Sequence, residues 1–207
     1  MNFSNVISLF FKRRFVFIVN QDDYNNLNFN QKMSNISFEY ISKTNFNKVI
    51  EVYDTYENDP KMKYLENRLN YPGIWKGIIA ILNGKPVGCH WILLPLNNKL
   101  FYDSFEIDNK SALFCGVYVN PEYRGKRVYN AIQCFVYNMW ISDFPDRNVI
   151  TIVEEKNESS LRSNFRIGLE VKGTNYLFKF FGKNFLSIYY SSYCKIQVWN
   201  ILFMKMR

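Results

Sequence analysis

The sequence predicts an α/β domain with a mixed, mostly antiparallel central sheet of about seven strands, flanked by about four helices. Two patterns carry this prediction. Asn83-Gly84, a dipeptide suited to positive φ, separates apolar stretches at 75–82 and 85–95, which is typical of a β-hairpin. Further on, apolar stretches at 111–119 and 148–155 enclose an amphipathic segment and so predict a strand–helix–strand unit.

The remaining elements follow from periodicity and from capping residues. Residues 36–42 alternate apolar and polar side chains, as a half-buried first strand does. Thr44 or Asn45 can cap a helix over residues 46–56, and a second short helix is predicted at 61–69. The later pattern predicts a helix at 128–143, a short helix at 157–168, and strands at 169–182 and 185–199.

Chain length and charge define the domain and its class of ligand. The 207 residues suit one domain, which we place at 36–207, after a basic and aromatic leader with an Asn-rich linker at 1–35. Cations at 12–14 interrupt the leader, so it does not span a membrane; it could contact a membrane surface through residues 1–19 or pack on the domain as a strand or helix. The net charge of +8 predicts attraction to anions.

Histidine and cysteine usage argues against several kinds of site. The chain has one histidine, His90, and four dispersed cysteines without a CxxC pair, a pattern that predicts neither a metal site nor a disulfide framework. Reduced cysteines are typical of a cytoplasmic protein, which is the expected location. The cations concentrate in the leader and in one short motif, without an aromatic platform, so nucleic acid is not an expected partner.

That short motif is VNPEYRGKRVYNAI, at residues 119–132. Pro121 ends the strand, and the first amides of the following helix lack acceptors within the helix and attract anions. Gly125 permits close approach to the main chain, and the neighbouring cations can bind a diphosphate. Two interpretations remain open on these residues alone: a phosphate-binding loop, or an ordinary helix start with solvated cations.

A second motif, NESSLRSNFRIGL, begins at Asn157 after one further strand. Together, VYVNPEYRGKRVY and NESSLRSNFRIGL resemble motifs A and B of the GNAT superfamily of N-acetyltransferases, in the same order and with the same intervening strand. The resemblance covers residues 36–195. It implies the GNAT fold with a splayed central strand pair, and acetyl-CoA as the acyl donor in an N-acetyltransferase reaction without a metal.

The resemblance also implies the coenzyme contacts, position by position. The strand end and the loop after it would hold the pantetheine arm and the pyrophosphate, and a polar residue that begins the second motif would contact CoA near the pantetheine. The residues at these positions are Val117, Tyr118, Val119, Arg124, Gly125, Lys126, Arg127, Val128, Tyr129 and Asn157.

The sequence departs from the family pattern at two positions that matter. Arg127 stands where the family commonly has its second glycine, and it could tilt the loop or bind phosphate itself. Asn164 stands where many members have a tyrosine that protonates the departing thiolate, a role that an amide cannot fill. Leu169 replaces a phenylalanine conservatively.

Candidates for proton transfer lie near these motifs. Glu154 or Glu155, at the end of a strand, could act as the base, directly or through water, although solvated charge at a strand end is the favoured interpretation of either one alone. Tyr129 or Tyr118 could replace the missing acid. His90 and Cys115 lie in apolar stretches and are expected to be core residues.

The acceptor implied by the resemblance is a primary amine on a small molecule. Parts of both motifs are similar to family members that acylate amino groups of nucleotide-linked sugars in surface-polysaccharide biosynthesis, and the positive charge fits such an anionic acceptor. Trp75, Trp91 and Tyr102 could stack on a sugar or belong to the core. The alternatives are another amine or peptide acceptor, or a CoA-binding regulatory module of the same fold without catalysis; a homodimer is left open.

Overall fold

The computed structural model describes residues 11–28, 35–180, 183–191 and 194–200. The strands are β1 (Phe11–Val19), β2 (Ile36–Tyr40), β3 (Trp75–Leu82), β4 (Lys85–Leu93), β5 (Leu100–Tyr102), β6 (Phe105–Ile107), β7 (Ser111–Val119), β8 (Asn148–Glu154), β9 (Val171–Phe180), β10 (Lys183–Ser191) and β11 (Cys194–Asn200). The helices are α1 (Gln21–Tyr24), α2 (Asn47–Tyr53), α3 (Pro60–Asn67), α4 (Val128–Asp143) and α5 (Glu158–Arg166), with 3-10 turns at Lys43–Asn45, Arg68–Asn70 and Pro121–Tyr123.

Nine of the described strands form one sheet in the order β11-β10-β9-β1-β8-β7-β4-β3-β2, and β5 and β6 form a separate small hairpin. Every neighbouring pair in the large sheet is antiparallel except β7 and β8. The predicted mixed, mostly antiparallel sheet flanked by helices is therefore confirmed. The sheet exceeds the predicted strand number because β1 joins it and because the stretch predicted as one strand at 185–199 folds as β10 and β11.

The leader contributes a central strand, so the predicted domain boundary at residue 36 is wrong. β1 lies between β8 and β9 and pairs with both, with Arg14 opposite Glu154 on one side and Asn175 on the other. Val16 and Phe17 of this strand are fully buried. Burying these apolar side chains completely stabilises the domain, and this explains why the segment packs into the sheet as a strand. Of residues 1–19, for which a membrane contact was predicted, 11–19 form this central strand, and 1–10 lie outside the described residues.

The central strands β7 and β8 separate towards their C-terminal ends, as the resemblance implied. Their parallel ladder extends only from Ser111 opposite Asn148 to Phe114 opposite Thr151. Beyond that point β7 stays paired with β4 as far as Val119, and β8 stays paired with β1. One edge of β7 therefore has no strand beside it over its last residues, and a wedge opens between the two strands.

Helices cover both faces of the sheet and form two main cores. On one face α4 packs its apolar stripe, with Ile132 and Val136 fully buried, as its periodicity predicts. On the other face α2 and α3 bury Val49, Val52 and Met62 against β3 and β4. Among the described residues no helix is long and apolar enough to cross a membrane.

Candidate functional site

A pocket of about 500 Å³ opens where β7 and β8 separate, between the starts of α4 and α5. All the residues predicted to bind the coenzyme line it, with one exception. Lys126 does not line the pocket; its ammonium group lies 4.9 Å from the centre of the Tyr123 ring. The lining residues are Val117, Tyr118, Val119, Tyr123, Arg124, Gly125, Arg127, Val128, Tyr129, Asn130, Asn157, Ser159, Ser160, Ser163 and Arg166.

The loop between β7 and α4 presents a run of main-chain donors. Asn120 ends the strand and accepts a hydrogen bond from the amide of Glu122 (3.0 Å), so the chain turns at Pro121. The first main-chain bond of α4 runs from the amide of Ala131 to the carbonyl of Arg127 (3.1 Å). Within the described chain the amides of residues 125–130 have no hydrogen-bond acceptor. Unpaired amides at a helix start attract an anion.

Two residues of this loop have positive φ, which makes the turn tight. Gly125 has φ +77°, and a Cβ built on it would have no described atom within 4 Å apart from those of its chain neighbours. Arg127 has φ +64° in the left-handed region, which explains why the family commonly has glycine at this position. An arginine here adopts a backbone conformation that L side chains disfavour. Arg127 also adds a positive charge to the lining of the pocket, to which Arg124 contributes another.

The start of α5 forms the opposite wall of the pocket. The Oδ1 atom of Asn157 accepts a hydrogen bond from the amide of Ser160 (3.2 Å), so this side chain caps the helix as well as lining the pocket. Ser163 and Arg166 follow at helical spacing and line the pocket too. Sequence reasoning missed them, although positions three and six residues beyond Ser160 lie on one face of a helix.

A phenol reaches the position where the family tyrosine is missing. The Tyr129 hydroxyl, from the first turn of α4, donates a hydrogen bond to Oδ1 of Asn164 on α5 (2.8 Å). Burial raises the pKa of Tyr129 to about 12. Asn164 is itself buried, and its Nδ2 atom has no hydrogen-bond partner in the described structure. The residue that stands in place of the family tyrosine is therefore in contact with a tyrosine from the neighbouring helix.

The two glutamates predicted as base candidates lie elsewhere. Glu154 forms an ion pair with Lys12, and Glu155 forms one with Arg13 (2.9 Å). Both cations belong to β1, which the sequence prediction had placed outside the domain. Neither glutamate lines the pocket. The placement does not support the base role, because each carboxylate is directed to the neighbouring strand.

His90 and the nearby thiols are core groups, as expected. The His90 ring is fully buried, with its centre 5.2 Å from that of Phe114, and burial lowers the pKa of this histidine to about 3. Burial also raises the pKa of Cys115 to about 11 and that of Cys89 to about 12. A thiol that stays protonated near neutral pH is a poor nucleophile.

The aromatic residues considered for sugar stacking divide between two places. Trp91 is fully buried in the core below α2 and α3. Trp75 and Tyr102 line a second pocket of about 600 Å³, formed by the start of β3, the end of β4 and β5.

No family model matches the chain, and a search of curated proteins finds no match. Solved structures do match. A tandem GNAT protein from the clavulanic acid biosynthesis pathway is 14% identical, with a TM-score of 0.59 over 77% of this chain and 50% of its own. A functionally unknown conserved protein from Staphylococcus epidermidis is 18% identical, with a TM-score of 0.58 over 84% of this chain and 64% of its own.

AAC(6')-Iy, solved in complex with the bisubstrate analogue CoA-S-monomethyl-acetylneamine, is 15% identical, with a TM-score of 0.50 over 66% of this chain and 92% of its own. The chain thus spans 64% of the Staphylococcus epidermidis protein and half of the tandem GNAT protein. Identities this low are evidence about architecture alone. With its splayed central strands and its helix start at the wedge, the chain has the GNAT fold of the GCN5-related N-acetyltransferases.

Proposed function

We propose that the protein transfers an acetyl group from acetyl-CoA to a primary amine of a small molecule. The observation that carries the proposal is the row of unpaired amides at residues 125–130, which adjoins the unpaired edge of β7. Those amides, with Arg124 and Arg127, suit the diphosphate of CoA. The free β7 edge suits the amide-bearing pantetheine arm, which can pair with it as an added strand would.

The chemistry requires few groups from the protein. The amine nitrogen attacks the thioester carbonyl, the new C–N bond forms, the C–S bond breaks, and the sulfur leaves as a thiolate that accepts a proton. Main-chain amides at 117–119 polarise the carbonyl. The Tyr129 hydroxyl, held by Asn164, supplies the proton to the thiolate. No carboxylate is among the described residues lining the pocket, so the amine loses its proton to solvent.

The acceptor is proposed to be a small amine, with an amino-sugar nucleotide as the first candidate. The net charge of +8 favours an anionic acceptor over a polycationic one. Trp75 and Tyr102 offer aromatic faces for a sugar ring in the second pocket. AAC(6')-Iy, whose fold is similar, was solved with an analogue that contains acetylneamine.

Titration calorimetry with CoA and a thiol-release assay with acetyl-CoA test the proposal. We expect saturable CoA binding and release of CoA that depends on an added primary amine, with N-acetylated product detected by mass spectrometry. CoA binding without turnover over a broad panel of amines would favour the regulatory module. Absence of CoA binding would remove the proposal altogether.

Replacing Tyr129 with phenylalanine should lower kcat by about 10- to 100-fold and leave CoA binding within about twofold, since general acid catalysis contributes on this scale. The pKa of Tyr129, near 12, keeps the phenol protonated throughout the assay range. The rate should therefore rise with pH as the amine loses its proton. The pH–rate profile of the variant should have the same midpoint as that of the wild-type protein and a lower plateau.

The control is Tyr123→Phe, because Tyr123 lines the same pocket and its hydroxyl is assigned no role. An equal loss of kcat in both variants would contradict the assignment of Tyr129 as the acid. A wild-type rate that declines as the pH is raised towards about 10 would also contradict it, because the phenol, with a pKa of about 12, is still protonated there.

A further inference from the structure

The second pocket, which we call the aromatic pocket, has a buried cation beside it. Tyr64, Trp75 and Tyr102 are among its lining residues. Arg68, in the turn after α3, is only 4% exposed. Its guanidinium carbon lies 4.1 Å from the centre of the Trp75 ring and 5.1 Å from that of Tyr64. The cation is therefore stacked against two walls of the aromatic pocket.

This guanidinium has no anion among the described residues. Its Nε and Nη1 atoms are buried without a hydrogen-bond partner, and no described carboxylate lies within ion-pair distance. Aromatic faces stabilise a cation, but they do not satisfy its N–H donors. A buried charge with unmet donors is unfavourable unless a partner arrives. The unmet donors of Arg68 favour an anion that the described residues do not supply.

Arg68 also lies beside the pocket between β7 and β8 that we propose binds CoA, which we call the coenzyme pocket. A Cβ built on Gly116 would lie 3.4 Å from Nη1 of Arg68, so the guanidinium reaches the main chain of β7 there. Gly116 has φ +61° and sits where the β4–β7 register shifts, between Trp91 opposite Cys115 and Cys89 opposite Tyr118. The next residue, Val117, already lines the coenzyme pocket. Arg68 thus stands between the two pockets.

From this placement we infer that the acceptor carries an anionic group, a carboxylate or a phosphate, which binds Arg68 while its ring or apolar body lies in the aromatic pocket. The inference rests on the proposed function and names the substrate class. The geometry requires the anionic group to be near the amine, because Arg68 is adjacent to the strand segment that would hold the thioester. A planar guanidinium can bind either oxyanion with two hydrogen bonds.

Matched pairs of amines test the inference. One pair is glucosamine 1-phosphate and glucosamine, and the other is phenylalanine and phenylalaninamide. We expect kcat/KM for the anionic member of at least one pair to exceed that of the neutral member by about tenfold or more. The pair with the larger ratio identifies the source of the anion, phosphate or carboxylate. Ratios near one in both pairs would overturn the inference.

Variants then assign the preference to Arg68. In Arg68→Met the ratio of kcat/KM for the anionic and neutral acceptors should fall to about one. Arg68→Lys keeps the charge without the planar guanidinium, so its ratio should lie between those of Arg68→Met and the wild-type protein. CoA calorimetry on each variant confirms that the coenzyme pocket is intact. If Arg68→Met loses activity equally with neutral and anionic acceptors, Arg68 acts on the thioester or on the core, and the inference is wrong.

A binding measurement on the wild-type protein separates this inference from the proposed function. Trp75 and Trp91 both lie against the guanidinium, so their fluorescence should respond to an anion there. Glucosamine 1-phosphate or phenylalanine should change the emission saturably, and glucosamine and phenylalaninamide should not. This fluorescence response needs no CoA. A response from a protein that does not bind CoA would support the anion site and contradict only the proposed acetyl transfer. A protein that shows amine-dependent turnover but no fluorescence response would contradict only the anion site.

Discussion

Replacing Phe17 with alanine should destabilise the protein by about 3–5 kcal/mol, the range for removing a buried aromatic side chain. Phe17 is fully buried in β1 and its ring lies 5.7 Å from that of Phe165 on α5. β1 pairs with β8 and β9, so the cavity would open in the middle of the sheet. Urea unfolding followed by circular dichroism measures the change as a shift of the midpoint.

Phe101→Ala provides the matched control, because Phe101 is 44% exposed at the small β5–β6 hairpin. It should cost about half as much or less, since the exposed 44% of the residue gains no transfer free energy on folding and truncation at the surface leaves no closed cavity. Equal small losses in both variants would mean that the N-terminal segment is a separate leader, as its composition had suggested, and that β1 is not part of the cooperative fold.

Replacing Gly125 with alanine should weaken CoA binding by about tenfold or more, which corresponds to about 1.4 kcal/mol. Gly125 lines the coenzyme pocket with φ +77°, and the space around its missing Cβ is open. The added methyl group would stand where the phosphates approach the unpaired amides. Titration calorimetry with CoA measures the change.

Gly84→Ala separates this effect from backbone strain. Gly84, in the β3–β4 turn, has φ +79° and equally open surroundings, but it does not line the pocket. Both variants should lose about 1 kcal/mol of stability, because alanine disfavours the left-handed region. Only Gly125→Ala should lose CoA affinity. Comparable affinity losses would point to a general effect of strain, and unchanged affinity in Gly125→Ala would place the phosphates elsewhere.

The local features of the site were readable from the sequence because each depends on neighbours in the chain. A proline after a strand, a glycine in the turn and an amphipathic stretch beyond it predict a strand–turn–helix with unpaired amides. The capping role of Asn157 depends on the next turn of its own helix. These features predicted the strand–turn–helix unit, and together with the family resemblance they predicted the splayed strands and most of the residues that line the pocket between them.

Residues that meet across the sheet could not be predicted in this way. Glu154 and Glu155 looked like base candidates because β1, which supplies their cationic partners, lies about 140 positions earlier in the chain. The contact between Tyr129 and Asn164 joins two helices, so neither motif alone reveals it.

The sequence by itself determined the kinds of element, their order, and the loop that we propose binds the diphosphate of CoA. Only the tertiary structure decided that residues 11–19 form a central strand and that the two glutamates point to it. It also decided that Nε and Nη1 of Arg68, beside the two pockets, have no hydrogen-bond partner among the described residues. The physical reason is that strand order and the burial of a charge depend on contacts between segments distant in sequence. Periodicity reports only which face of an element is buried, and not what it is buried against.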